Sequence, residues 1–260
     1  RGPQGTLFGK NTTGGILNVI RTPVSLNEIG FDASLTLGDF GRQDLKTVIQ
    51  VPIIEDQLGV KIFAANIEHD GHVYNTYLDR HAGGDDKLNY GFTVLWEPND
   101  QLSMKLHHEI MQDKSEQGVY VNRNPVGILA CTIHQIGFDP NEGCEIDAND
   151  GPDTVESDGS NFSDNEYEST IFTVNYDTEN FLYTYIYGMR DMDEQNMQDF
   201  DGAAVRMLRM NYFNDWEQES HEFRVTSQFS EKVQFIAGVY DWEVDYVQNW
   251  DVYDLFYQLS

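Results

Sequence analysis

Residues 1–23 read RGPQGTLFGKNTTGGILNVIRTP (Arg1–Pro23), and the fold of everything downstream turns on this stretch. Arg1-Gly2-Pro3 opens it. Gly5, Gly9 and the Gly14-Gly15 pair punctuate it, and the apolar run Ile16–Ile20 ends at Thr22-Pro23. Glycine allows positive φ and close backbone approach, so this spacing describes tight turns between short strands. Other motifs do not fit. A phosphate-binding loop requires glycine where Gln4 stands and Ser or Thr where Asn11 stands. Asn11-Thr12-Thr13 matches a glycosylation sequon, a pattern that short stretches meet by chance. A flexible linker would carry few large apolar residues, whereas Leu7, Phe8 and Ile16–Ile20 are all here.

From Ile29 onward one pattern repeats: an alternating segment, a connector, then another segment. Phe31, Ala33, Leu35 and Leu37 form the first apolar row, and Leu45, Thr47, Ile49 and Val51 the second. Leu58, Val60, Ile62 and Ala64 follow. The cleanest row is Leu88, Tyr90, Phe92, Val94 and Trp96, set against Asn89, Gly91, Thr93 and Glu97. Leu102, Met104, Leu106 and Ile110 make the fifth, then Thr170–Tyr176 and Phe181–Tyr187 at alternate positions. Phe223 and Val225 with Phe229, and Val233 to Val239, complete the series. Period two gives every strand one apolar and one polar face. Helical periodicity is absent, and no run of about eighteen apolar residues exists to form a membrane helix. A membrane β-barrel needs none, since it spans with alternating segments of about ten residues.

The connectors alternate too. Short turns are expected at Ile54–Gln57, Pro98–Gln101, Asp177–Asn180 and Ser230–Lys232. Between them lie a tight turn at Asp39–Arg42 and long polar loops at Asp70–Lys87, Asp113–Tyr167 and Met192–Glu217. Outer-membrane barrels have short turns on the periplasmic side and longer loops outside. Trp96, Phe181 and Phe229 then fall at the short-turn rim, where an aromatic girdle belongs.

With 16 Lys and Arg against 44 Asp and Glu, the net charge of −28 excludes a nucleic-acid partner, which needs a basic footprint. Acidic residues concentrate between Asp113 and Glu168, as exposed loops require for solubility. Cys131 and Cys144 lie in the same segment. Their proximity in a polar loop fits one disulfide of an oxidising compartment, and no CxxC spacing or histidine cluster marks them as metal ligands.

No catalytic constellation emerges. His69, His72 and His81 share a polar loop and are expected to be solvated rather than metal-bound. His107 and His108 are adjacent on a strand, point to opposite faces and cannot act together. Asp147-Ala148-Asn149-Asp150-Gly151 starts like a calcium loop but has glycine one position early and no terminal glutamate, leaving only weak cation binding. Ser160 has no partners that would make it a nucleophile.

The opening motif, through Arg1, Gly2, Pro3, Gly5, Thr6, Gly9, Asn11, Gly14 and Gly15, resembles the end of the plug domain of TonB-dependent outer-membrane receptors. Leu95-Trp96-Glu97-Pro98-Asn99-Asp100 and Ser220-His221-Glu222-Phe223-Arg224 resemble their barrel strands. The resemblance implies an all-β chain: residues 1–24 the C-terminal end of a plug, and residues 25–260 the N-terminal part of a barrel. About nine of the family's twenty-two transmembrane antiparallel strands would then be present, and the chain would be a fragment. It further implies a bacterial outer-membrane location, contact with lipid, and a periplasmic TonB-type energy-transducing partner reached through the absent N-terminus. The ligand would be a small molecule or metal chelate. The expected function is energised uptake of a scarce, bulky solute (ferric siderophore, cobalamin or oligosaccharide), with no enzyme chemistry and no cofactor. Arg1 matches a plug arginine that docks on barrel-wall carboxylates. The alternatives are a passive porin, which has no plug, and an acidic β-rich surface adhesin, which would be polar on both sheet faces.

Overall fold

The computed structural model describes residues 14–15, 20–121, 153–159, 161–202, 204, 208–230 and 232–253. Among the described residues the alternating segments become strands, except that Phe229 lies in a connector and the last strand starts at Ile236 rather than Val233. In chain order the strands are β1 (Gly30–Leu37), β2 (Gln43–Ile54), β3 (Leu58–His69), β4 (Val73–Asn75), β5 (Arg80–Ala82) and β6 (Asp85–Asn99). β7 (Leu102–Asp113), β8 (Thr154–Val155), β9 (Phe162–Asp177), β10 (Phe181–Asp199), β11 (Arg209–Ser227) and β12 (Ile236–Tyr253) follow. Nine of them form one sheet in the order β1-β2-β3-β6-β7-β9-β10-β11-β12, every neighbouring pair antiparallel. This is the wall of a partial barrel, and among the described residues β1 and β12 are its two edges.

The register carries the apolar rows onto a single face. Phe31 lies opposite Ile49, Ile49 opposite Ile62, Ile62 opposite Phe92, and Phe92 opposite His108. Nearer the short turns, Val60, Val94, Leu106, Phe172 and Tyr187 align across five strands. These side chains are not interior. Phe31 is 67% exposed and Val239 is 71% exposed, with Ile49, Ile62 and Phe223 also open. The buried set is instead mostly polar: Lys61, Thr93, His107, Asn165, Thr184 and Asn196 among others, against four apolar residues among those described. A water-soluble sheet would bury the apolar face, so this inverted arrangement demands an apolar surrounding.

The short turns fall where expected, after Ile54, Asn99, Asp177 and Ser227. The long polar loops are partly strand. Asp70–Lys87 contains β4 and β5, β9 begins at Phe162 rather than Tyr167, and β10 and β11 carry pairing through most of Met192–Glu217. Above the apolar band the outward face turns polar while aromatic residues such as Tyr212 and Trp216 stand on the other face, so the period-two signal of an apolar outer row vanishes while backbone pairing continues. β10 and β11, at 19 residues each, extend about 60 Å, more than twice the roughly 25 Å apolar band of such barrels. β4, β5 and β8 form a second, three-stranded sheet at the long-loop end, in which β4 and β8 run parallel.

The luminal face as candidate functional site

The polar face is defined by what lies on it. From Arg21 to Leu26 the chain crosses the wall before entering β1, and its contacts with the strands are with residues of the polar register. The Arg21 guanidinium pairs with Glu109 at 2.5 Å, and Lys61 Nζ donates to the Thr22 carbonyl. The Ser25 amide donates to Gln50 Oε1 at 3.2 Å, and Asp56 N donates to the Leu26 carbonyl at 3.1 Å. Val24, only 7% exposed, packs where Gly59 leaves room. Ser25 Oγ then accepts from the amides of Asn27 and Glu28, a turn that releases the chain into β1.

Toward the long-loop end, residues 114–121 lie along the same face. Gln117 Nε2 donates to Asn196 Oδ1 at 2.7 Å and to Ser163 Oγ at 2.6 Å, while Tyr212 donates to its Oε1 at 3.4 Å. Glu116 N donates to the Gly84 carbonyl and Ser163 N to that of Ser115. Glu194 accepts from Tyr167 at 2.5 Å and from Asn214 at 2.7 Å. Aromatic rings share this upper wall: Tyr212 and Trp250 lie 5.9 Å apart, and Trp216 stands opposite Tyr246. Such a surface offers stacking planes and hydrogen-bond groups.

A cavity of about 580 Å³ opens between the second sheet and the ends of β3 and β6. His69 Nε2 and Lys87 both contact Asp85, at 2.9 and 2.6 Å. The Lys87 hydrogen bond is the main reason the Asp85 carboxyl is held below its ordinary range, with His69 adding and partial burial opposing. Arg80 pairs with Glu116, and Tyr74 donates to Asp79, which pushes the phenol upward. Carboxylates outnumber cations here, so the cavity suits a cationic or strongly hydrated group better than an anion.

The residues singled out from sequence have mixed fates. His107 and His108 do face oppositely, the first to Thr93 and the second to Thr170. Of the loop histidines, His69 and His81 both line the cavity beside the second sheet while His72 is exposed; His69 joins Asp85, and His81 is held edge-on between Phe40 and Tyr74 at 5.3 and 5.4 Å. Among the described residues no group of three or more His, Cys, Asp or Glu is arranged to hold a metal ion. Phe181 and Phe229 meet at 5.8 Å at the short-turn rim and are joined by Phe235. Gly15 adopts φ 111°, a conformation few other residues tolerate. Arg1 through Asn11, Cys131, Cys144, the Asp147–Gly151 run and Ser160 lie outside the described residues. Arg21, Gly59, Lys61 and Glu109 were not anticipated. An arginine two residues before the proline that leaves the motif, and polar residues at luminal strand positions, were the available signals.

No protein-family model matches the sequence. Among solved structures the chain is similar to the ferric yersiniabactin uptake receptor FyuA from Yersinia pestis. The TM-score is 0.77 at 18% identity, over 97% of this chain and 36% of that one. It is also similar to the ferric-catecholate import receptor Fiu from E. coli K12, with TM-score 0.66 and 14% identity over 95% and 35% of the two chains. The copper transporter OprC matches with TM-score 0.54 and 13% identity over 92% and 31%. The chain thus spans about a third of the length of these structures. At such identities the likeness is one of fold: the nine strands follow the wall of an uptake-receptor barrel.

Proposed function

We propose that this chain is the plug-to-barrel junction and opening nine strands of a TonB-dependent outer-membrane receptor. Residues 1–24 end the plug and residues 25–260 begin the barrel. The apolar face meets lipid, the long-loop end faces outward, and the polar face surrounds the plug. The whole receptor takes up a scarce, bulky solute by binding it among the outer loops and luminal wall. A periplasmic TonB-type partner then drives rearrangement of the plug. Among ferric siderophores, cobalamin and oligosaccharides, ferric chelates come first, because two of the three similar structures are named for importing them. The observation that carries this reading is the inverted sheet with the Arg21–Leu26 segment fixed to its polar face. A lipid-facing barrel explains the first half, and a plug entering that barrel explains the second.

A passive porin would share the inverted sheet but has no reason to pin an incoming segment to its lumen. The test is uptake of labelled ferric chelates by cells that carry the full-length protein as their sole receptor. Uptake should be saturable and should cease when the inner-membrane potential is collapsed. Uptake that is linear in concentration and unaffected by depolarisation would assign a porin instead.

A further inference from the structure

A second cavity, of about 470 Å³, lies on the luminal wall beneath the Arg21–Val24 segment, and its charge runs against that of the whole chain. Arg21, Lys61 and Lys105 line it, three of only sixteen Lys and Arg in the protein. Glu109, a carboxylate beside it, is already engaged by Arg21 at 2.5 Å. Among the described residues neither lysine has a carboxylate partner. Lys61 is 7% exposed and uses one of its three donors on the Thr22 carbonyl. His107, 4% exposed, also lines the cavity. Its Nδ1 is 2.8 Å from the Thr93 hydroxyl, and its buried Nε2 has no hydrogen-bond partner, Glu109 Oε2 being 3.6 Å away. With Nδ1 accepting from Thr93, Nε2 carries the proton and is a donor awaiting an acceptor.

A buried donor without an acceptor (His107 Nε2) and a buried ammonium without a counter-ion (Lys61) are costly, and an acceptor with negative charge removes both penalties, with the exposed Lys105 adding its attraction. The remaining wall is apolar, with Leu95 and Ile171 beside the cationic end. A bare inorganic anion would leave that surface unused, whereas a carboxylate on a short hydrocarbon stem satisfies both parts. We propose that this cavity is a carboxylate site. The anionic oxygens are held by the ammonium groups of Lys61 and Lys105 and by His107 Nε2–H, with the stem against Leu95 and Ile171. The ligand is either a free small carboxylic acid or an Asp or Glu side chain of a luminal segment. Residues 1–20 contain no acidic residue, so a side chain would come from elsewhere.

The site stands on its own residues, and its test reads binding rather than uptake, so a failed transport assay leaves it unaffected. The full-length receptor in detergent is treated with a water-soluble carbodiimide, which joins amines to carboxylates in contact, and the digest is analysed by mass spectrometry. A chain-borne ligand gives a cross-link from Lys61 or Lys105 to an acidic peptide other than that of Glu109. Without such a link, butyrate should raise the melting temperature saturably, and more than phosphate does. Lys61→Gln and Lys105→Gln should each weaken the half-saturating concentration about tenfold, the magnitude of one charge-assisted hydrogen bond. If Lys61→Gln does not fold, the exposed Lys105 serves alone. No cross-link together with no butyrate effect, an effect unchanged in the variants, or phosphate acting as well as butyrate would overturn the proposal.

Discussion

Val24 fills the space that Gly59 leaves on the luminal wall: a Cβ on Gly59 would lie 2.9 Å from Val24 Cγ1 and 2.5 Å from the Ser25 carbonyl oxygen. The second contact is with backbone and cannot be relieved by a rotamer change. Gly59→Val should therefore lift the Val24–Leu26 segment off the wall and cost about 1–3 kcal/mol. Thermal unfolding of the full-length protein gives the stability, and limited proteolysis near Arg21 shows the detachment. Unchanged proteolysis would mean that the segment is held by its polar contacts alone.

Phe172 and Thr173 are chain neighbours on opposite faces of β9. Phe172 aligns with Leu106 and Tyr187 in the apolar rows, and Thr173 with Lys105 on the luminal side. Single cysteines should react selectively, Phe172→Cys with a membrane-soluble maleimide and Thr173→Cys with an aqueous one. Phe172→Arg should cost about 2–4 kcal/mol near the bilayer midplane. Equal aqueous labelling at both positions would reject the lipid-facing assignment.

Asp85 lies beyond the Leu88–Trp96 apolar row, and Lys87 holds its carboxyl below the ordinary value. A depressed folded-state pKa stabilises fully above the unfolded value of about 3.9 and is lost as pH falls through the folded value. The group is partly exposed, so the contribution is at most about 1 kcal/mol. The protection of amides at residues 69–87, with the intrinsic pH dependence of exchange divided out, should fall below about pH 4 in the natural protein. Asp85→Asn should show that lower protection already above about pH 4, converge with the natural protein at lower pH, and so lose the pH dependence.

On the proposed receptor reading Cys131 and Cys144 are linked, since a protein of the outer membrane matures in an oxidising compartment. A non-reduced digest should contain the joined peptides, and the loop closed would stabilise by roughly 3 kcal/mol in the chain-entropy treatment. Two free thiols in protein taken from the membrane would refute the pairing.

Among the described residues β1 and β12 leave backbone donors and acceptors unpaired along both edges of the sheet. Within hydrocarbon each unsatisfied group costs several kcal/mol, and in water the bare apolar rows exceed what a monomer tolerates. Residues 1–260 expressed alone should accordingly be insoluble or detergent-dependent. A discrete, protease-resistant monomer in vesicles would contradict the open-edged wall.

Alternation at Leu88–Trp96 and its companions was enough to determine the strands, their apolar faces and the sidedness of the short turns, because pleating ties side-chain direction to position in the chain. The same logic separated His107 from His108. Above the apolar band it failed. β10 and β11 pair far into Met192–Glu217, yet without an apolar outer row no periodic signal marks them, and only the backbone ladder shows where they end. The luminal site was equally hidden. Arg21 meets Glu109 across 88 positions, and Lys61, Lys105 and His107 converge from two strands that never touch in sequence. Local sequence fixes which face a residue occupies. Which distant residues share that face at one height is set by strand order and register, and those exist only once the sheet has formed.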